Sequence, residues 1–381
     1  MAQNSRVTDA LIQKNYENTL RKTVEGDDIF SQFRADITGE GKLPGSIIAV
    51  SKQSGQTSKV LGLIKALSGA GISGTNSLAG NEEKLEILDF TAYANEFKWG
   101  VNAETFGIHA VANKPYALLK LAVPLLGELM EKYRGTHRRE AFNQRYSSNL
   151  IEAPSSRVQH INANLHVAGV AISSQPAYSD TLATYATAIN TAIPDTPAAG
   201  NQMTFAAIKT LEKWVLISKR IKPLANGKYI VTVPTNQKYI LMDEDSGLGK
   251  VFKNSTESMK SLKNWIGEWS RFVFVEDFRN SVLTAADGAS STLVWSYTTV
   301  DDSRPTVGTD KWDVGYVLGM DALIELELEP LHLEKDKTVE YGREERTGAF
   351  ANYGDQLLEW ADGTDVRRNY GSAVVLYASE Y

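Results

Sequence analysis

Gly69-Ala70-Gly71-Ile72-Ser73-Gly74 has the G-x-G-x-x-G spacing with which a strand-to-helix turn cradles a dinucleotide pyrophosphate, and it follows an apolar run, 59–67 (KVLGLIKAL). That chemistry needs a helix to open at the glycines, so that its first N–H groups face the phosphates. Here the glycines lead instead into Thr75-Asn76-Ser77-Leu78-Ala79-Gly80-Asn81, which is turn chemistry, and then into a second strand-like run, 83–101. The spacing therefore reads as the tip of a hairpin.

The other residues able to do chemistry lack their usual context. Gly41-Lys42, Gly227-Lys228 and Gly249-Lys250 are followed by Leu, Tyr and Val, so none completes a phosphate-binding loop. His160 and His166 are the one close histidine pair, in a segment rich in polar and small residues, without the helical H-E-x-x-H spacing of a zinc site. No G-x-S-x-G elbow exposes a serine nucleophile. Asp243-Glu244-Asp245-Ser246-Gly247 lacks the distal glutamate of a calcium loop and reads as a turn. The sequence contains no cysteine, which excludes thiol nucleophiles, thiolate metal ligands and disulfides together. No catalytic, cofactor-binding or metal-binding set is expected.

Charge is more informative. Glu325, Glu327 and Glu329 alternate with Ile324, Leu326 and Leu328, so three like charges stand on one face of a strand and repel unless something answers them. A basic strand, a neighbouring subunit and a cation are the candidates, beside plain solvation of the face. The stretch from 321 to 345 holds nine acids and three bases, whereas 132–145 holds Lys132, Arg134, Arg138, Arg139 and Arg145 against Glu140. These runs are either solvated faces or complementary surfaces that meet between copies of the chain. The net charge of −6 argues against an all-round basic nucleic-acid binder.

The elements that must carry these residues follow from length and pattern. At 381 residues the chain exceeds one ordinary core. No apolar run approaches the ~20 residues of a membrane span, and MAQNSRVTDALIQKNYENTL has no secretory pattern, so a soluble, unexported chain is expected. Residues 1–45 read as a polar arm with a short helix near 8–23. The runs 59–67 and 83–101 form a long hairpin, its second arm ~60 Å if fully extended. Such a ribbon is marginal alone and requires a surface to lie on. Asn113 and Pro115 open a helix whose stripe is Leu118, Leu121, Leu125, Leu129 and Tyr133, widened by Ala122 and Leu126, with a kink at Pro124 and a bend or break at Gly135. Continuous to Ser147, it would be about 50 Å long. A loop-rich segment spans 150–199. A helix follows over 203–219, then two strand-like halves of 228–242 about Pro234-Thr235-Asn236, a helix over 256–266, and strands at 271–276, 324–329 and 372–377. Helices and strands mix without a βαβ rhythm, so the fold class is α+β.

This order of parts, with Leu78-Ala79-Gly80-Asn81-Glu82-Glu83 at the hairpin, Lys228–Met242 before Arg271–Glu276, and Asn352-Tyr353-Gly354 near the end, resembles tailed-bacteriophage major capsid proteins of the Hong Kong 97 fold, most closely the N4-like group. The resemblance implies an N-terminal arm (1–45), an extended E-loop (46–101), a peripheral domain formed by the spine helix (102–149) and the terminal strands (336–381), and an axial domain (150–335). It implies self-assembly into pentamers and hexamers around double-stranded DNA, with a scaffolding protein, a portal and a decoration protein as candidate partners, and no membrane. Lys59, Lys65, Leu78, Asn81, Glu82 and Glu83 would make E-loop contacts between subunits. Some relatives join a lysine to an asparagine covalently, and Lys52, Lys59 and Lys65 lie in that loop. Lys132, Arg134, Arg138 and Arg139 would line the DNA side. A soluble enzyme with an unrecognised site, or a monomeric adhesion module, are the alternative readings.

Overall fold

A computed structural model describes residues 28–36, 47–51, 58–64, 87–103, 115–145, 160–162, 164–176, 199–219, 221–243, 245, 247–253, 260–278, 281–284, 296–299, 311–336, 345–358, 360–361, 367–368 and 371–379. In chain order, a 3₁₀ turn (Ile29–Phe33) leads into β1 (Arg34–Asp36), β2 (Ile47–Ser51), β3 (Ser58–Ile64), β4 (Ile87–Tyr93) and β5 (Asn95–Ala103). Helix α1 (Pro115–Asn143) follows, then β6 (Gln144–Arg145), β7 (His160–Ile161), β8 (Leu165–Val167) and α2 (Phe205–Lys213), which runs into a π-helical turn, Trp214–Lys219. Next come β9 (Tyr229–Pro234), α3 (Thr235–Met242), α4 (Gly249–Lys253), β10 (Trp265–Trp269), β11 (Phe272–Asp277), β12 (Ser281–Thr284) and β13 (Ser296–Thr299). The chain closes with β14 (Lys311–Leu318), β15 (Leu323–Asp336), β16 (Glu345–Leu357), β17 (Trp360–Ala361), β18 (Arg367–Arg368) and β19 (Ser372–Ala378). The class is α+β.

Two sheets carry the fold. One has the order β1-β2-β15-β16-β5, and the other runs β10-β11-β9-β14-β12-β13, with β19 joining β14 to β8. In the second sheet alternate residues face opposite cores: Ile230, Val273 and Val374 lie in one cluster, Val231, Phe274 and Val375 in the other. Both faces are covered, so these strands are apolar throughout rather than alternating. Thr204 caps α2 by accepting from the Ala207 N–H, and Ala207, Ile208 and Leu211 pack on the second face. The first cluster also takes in Phe30, Phe33, Phe142, Ile47 and Leu323, so it welds the N-terminal turn, the end of α1 and both sheets into one core.

The two arms of the expected hairpin do pair, and its tip, 65–86, lies outside the described residues. β3 and β4 pair over seven residues as a separate two-stranded ribbon. The run 83–101 is not one strand: it breaks at Ala94, after which β5 leaves the ribbon and pairs with β16. Tyr93 N–H donates to the Gln356 side chain, and Gly354 lies so close to Tyr93 and Ala94 that a Cβ there would collide with their backbone. The ribbon is thus anchored at its root to the first sheet.

Helix α1 starts at Pro115, where a missing N–H costs nothing, and runs unbroken through Pro124 and Gly135 to Asn143, so Gly135 is no break and the helix stops short of Ser147. Its buried ridge is Leu126, Met130, Arg134 and Arg138, which keeps only the Leu126 flank of the expected stripe; Leu125, Leu129 and Tyr133 are exposed.

Two other expected elements are corrected. The second half of 228–242 is helix α3, because Pro234 closes β9 and the inward residues Gln237 and Leu241 keep a four-residue period. The end of the expected 256–266 helix is a turn through Asn264, in left-handed conformation, entering β10. The loop-rich 150–199 stretch holds β8, which pairs parallel with β19. β15 runs up to 336 and pairs with β16, while β19 returns to the sheet of β9 and β14.

Candidate functional site

The residues singled out for their charge meet beneath α1. Arg134 and Arg138, four apart, project from one face of the helix toward β15, and Arg139 from the flank beside them. All three are buried, with Arg138 and Arg139 only 1% exposed. Buried guanidiniums require carboxylates, and each has one. Arg134 and Arg138 both donate to Glu325, Arg138 at 2.8 Å, and Arg138 also bonds Asp28. Arg139 makes a two-pronged contact with Asp277 at 3.0 and 2.5 Å. Arg34, from β1, approaches Glu325 at 3.0 Å and Glu327 at 3.5 Å. Gly135 belongs to the same design, since a Cβ there would crowd the Arg139 guanidinium and the Asp28 carboxylate.

Two expectations are overturned by this geometry. Arg134, Arg138 and Arg139 cannot form a DNA-facing surface, because they are spent inside the subunit; of that set Lys132 is exposed. The acidic face is answered neither by solvent, nor by another subunit, nor by a cation at Glu325, which is fully buried under guanidiniums of its own chain. Glu327 is half-buried and shares Arg34 and Arg134, while Glu329, beside the register shifts of β15, is half-exposed and lies 3.8 Å from His332. The acidic and basic runs complement each other within one chain.

Burial alone would raise the Glu325 carboxyl, but Arg134, Arg138 and Arg34 outweigh it and hold the group well below the carboxylate range. Asp355, across from it on β16, behaves in the opposite way. Burial, with the Glu325 carboxylate facing it, pushes Asp355 up to about 7. Asp28, Arg34, Asp277 and Asp355 were not singled out from sequence. The available signal was the spacing of Leu126, Met130, Arg134 and Arg138, which marks the arginines as part of the inward ridge.

Of the hairpin set, Lys59 lies on β3 opposite Ala92. Lys65, Leu78, Asn81, Glu82 and Glu83 fall outside the described residues. His166 sits within β8, fully buried, its ring 4.9 Å from Trp214 and its nitrogens without hydrogen-bond partners; burial pushes it down to about 3. Asp243 accepts from the Asp245 N–H at 3.1 Å, the local turn expected there. Among the described residues no cluster of His, Asp and Glu is arranged to hold a metal ion, and no helix is long and apolar enough to cross a membrane.

No known family model matches the sequence, and no curated protein matches it. Solved structures do. The capsid of Ralstonia phage GP4 superposes with a TM-score of 0.60 at 13% identity, over 92% of this chain and 91% of that one. The cyanophage Pam1 capsid gives 0.59 at 12% identity, over 92% of both. A chain from the head of Helicobacter pylori bacteriophage KHP40 gives 0.55 at 14%, over 93% of this chain and 91% of its own. At such identities the likeness is one of architecture, and it spans nearly the whole of each chain: this protein has the mixed helix-and-sheet fold of those phage capsid and head subunits.

Proposed function

We propose that this chain is a major capsid subunit of a tailed bacteriophage, which self-assembles into an icosahedral shell around double-stranded DNA. The observation that carries the reading is the end-to-end structural likeness to the Ralstonia phage GP4 capsid, over 92% of this chain and 91% of that one. Its task is mechanical, to hold neighbours and resist the pressure of the contents, and the residues described above suit that task. Among the described residues the β3–β4 ribbon pairs with no other strand, and Val60 on it is exposed, which suits a ribbon that lies on a neighbouring copy. The Leu125, Leu129 and Tyr133 stripe offers an apolar contact along α1. The ion pairs beneath α1 fix the helix to β15 and to the N-terminal turn, so that a load on any of them is shared.

Pentamers and hexamers, a scaffolding protein, a portal and a decoration protein belong to this reading, with assembly in the host cytoplasm and final residence in the virion. Electron microscopy and size-exclusion chromatography of the purified protein test it. Shells, or rings of five and six, are expected, alone or with the phage's scaffolding protein. A stable monomer under both conditions would overturn it and favour an enzyme or a binding module.

A further inference from the structure

We propose that Asp355, facing Glu325 beneath Arg34, Arg134 and Arg138, is a proton-operated latch on the edge strand β1. Asp355 and Glu325 are direct partners in the β15–β16 ladder, and both are buried. Two carboxylates placed so cannot both be ionised cheaply. The structure treats them unequally: Glu325 takes the guanidiniums, whereas neither oxygen of Asp355 has a hydrogen-bond partner.

The surroundings fix the sign. Asp355 faces Glu325 from β15, Arg134 and Arg138 from α1, Arg34 from β1, and Tyr353 from its own strand, with Glu327 behind Arg34, His137 behind Tyr353 at 3.0 Å and Asp28 behind Arg138. Among the described residues, four guanidiniums (Arg34, Arg134, Arg138, Arg139) are matched by four carboxylates (Asp28, Asp277, Glu325, Glu327) while Asp355 keeps its proton. Ionising it adds a fifth negative charge and a rival acceptor. An aspartate raised from 3.8 to about 7 on folding leaves the fold fully favoured below pH ~4 and progressively less so up to neutrality, where the penalty is complete.

The part free to yield is β1. Arg134 and Arg138 ride on a helix packed through Leu126 and Met130, and the 3₁₀ turn is pinned by Phe30 and Phe33. β1 is three residues at a sheet edge and, among the described residues, pairs with β2 alone. Arg34 is its tie to the cluster, and an ionised Asp355 both draws on that guanidinium and repels the carboxylate that holds it.

The test uses the unassembled full-length subunit and depends on the fold alone, so it stands whether or not the chain forms shells. Infrared difference spectra should show a protonated-carboxyl band at about pH 6 that disappears by about pH 8, and Asp355→Asn should lack it. Hydrogen exchange at Arg34–Asp36, corrected for the intrinsic rate, should rise about tenfold over the same range, the change carried by one pKa unit, and stay flat in D355N. A rise that persists in D355N overturns the latch. If D355N does not fold, the wild-type spectrum decides: absence of the band at pH 6, or its survival to pH 9, overturns the proposal.

Discussion

Glu325 and Asp355 are partners across one antiparallel ladder, both buried, and their surroundings push them in opposite directions, Glu325 below the carboxylate range and Asp355 above it. The difference lies in which carboxylate the guanidiniums reach. Removing one charge of a buried pair costs ~3–5 kcal/mol, because its partner is left uncompensated. Glu325→Gln should follow that rule at low pH, but with Glu325 neutral Asp355 ionises more readily and replaces it as acceptor. The cost, measured by denaturant unfolding of the unassembled subunit, should be smaller at pH 8 than at pH 5 by at least ~1.4 kcal/mol, one pKa unit's worth. Equal costs at the two pH values would show that the carboxyls are not coupled.

This cluster also marks where sequence reading stops. The helix from Pro115 was legible from its first-turn proline and its period, β11 and β19 from their apolar runs, and β15 from its alternation. The rotation of α1 was not, because Leu118, Leu121, Leu125, Leu129 and Tyr133 form the more apolar stripe while the helix buries the ridge that ends in Arg134 and Arg138. Arginines turn inward only when carboxylates wait for them, and Glu325 waits 191 residues away from Arg134. Local pattern carries no information on such a pairing. The same limit explains β19, whose own sequence identifies a strand but not that it crosses to β14 and β8. Tyr239-Ile240-Leu241-Met242 failed differently: a short apolar run fits strand or helix equally, and Pro234 decides.

His166 gives an independent acid response. Burial against Trp214 keeps the ring neutral down to about 3, against 6.5 in the unfolded chain. The unfolded state therefore takes up a proton first, and stability is lost as pH falls from about 6.5, at ~1.4 kcal/mol per pH unit. His166→Phe keeps an aromatic ring there and removes the titration. Thermal unfolding should show the variant gaining on the wild type steadily between pH 6.5 and 4.5. A constant difference across that range would mean that His166 does not carry the acid sensitivity.

Gly354 supports the hairpin root. A methyl group there would strike the Tyr93 carbonyl and Ala94, backbone atoms that cannot swing aside. Gly354→Ala should cost ~1–3 kcal/mol as an overpacked site and displace β4 from β16. Loss of hydrogen-exchange protection confined to Ile87–Tyr93 and its ladder partner β3 would show the displacement. A variant with native stability and native protection would remove this role.

The exposed stripe on α1 separates folding from assembly. Leu125, Leu129 and Tyr133 are 62%, 40% and 45% exposed, and Tyr133 leans toward Trp99 with ring centres 6.1 Å apart. Three large apolar groups in a row on one helix cost little to replace within the subunit, since surface changes usually stay within ±0.5 kcal/mol. Between copies they would bury apolar area worth roughly 25 cal/mol per Å². Leu125→Glu and Leu129→Glu together should leave the melting of the unassembled subunit nearly unchanged while lowering the yield of shells or capsomers at least about tenfold, the effect of losing ~1.4 kcal/mol per contact. Sedimentation of the variant beside the wild type measures both quantities in one sample. Normal particle yield would place this face in solvent, and a large fall in melting temperature would place it in the core.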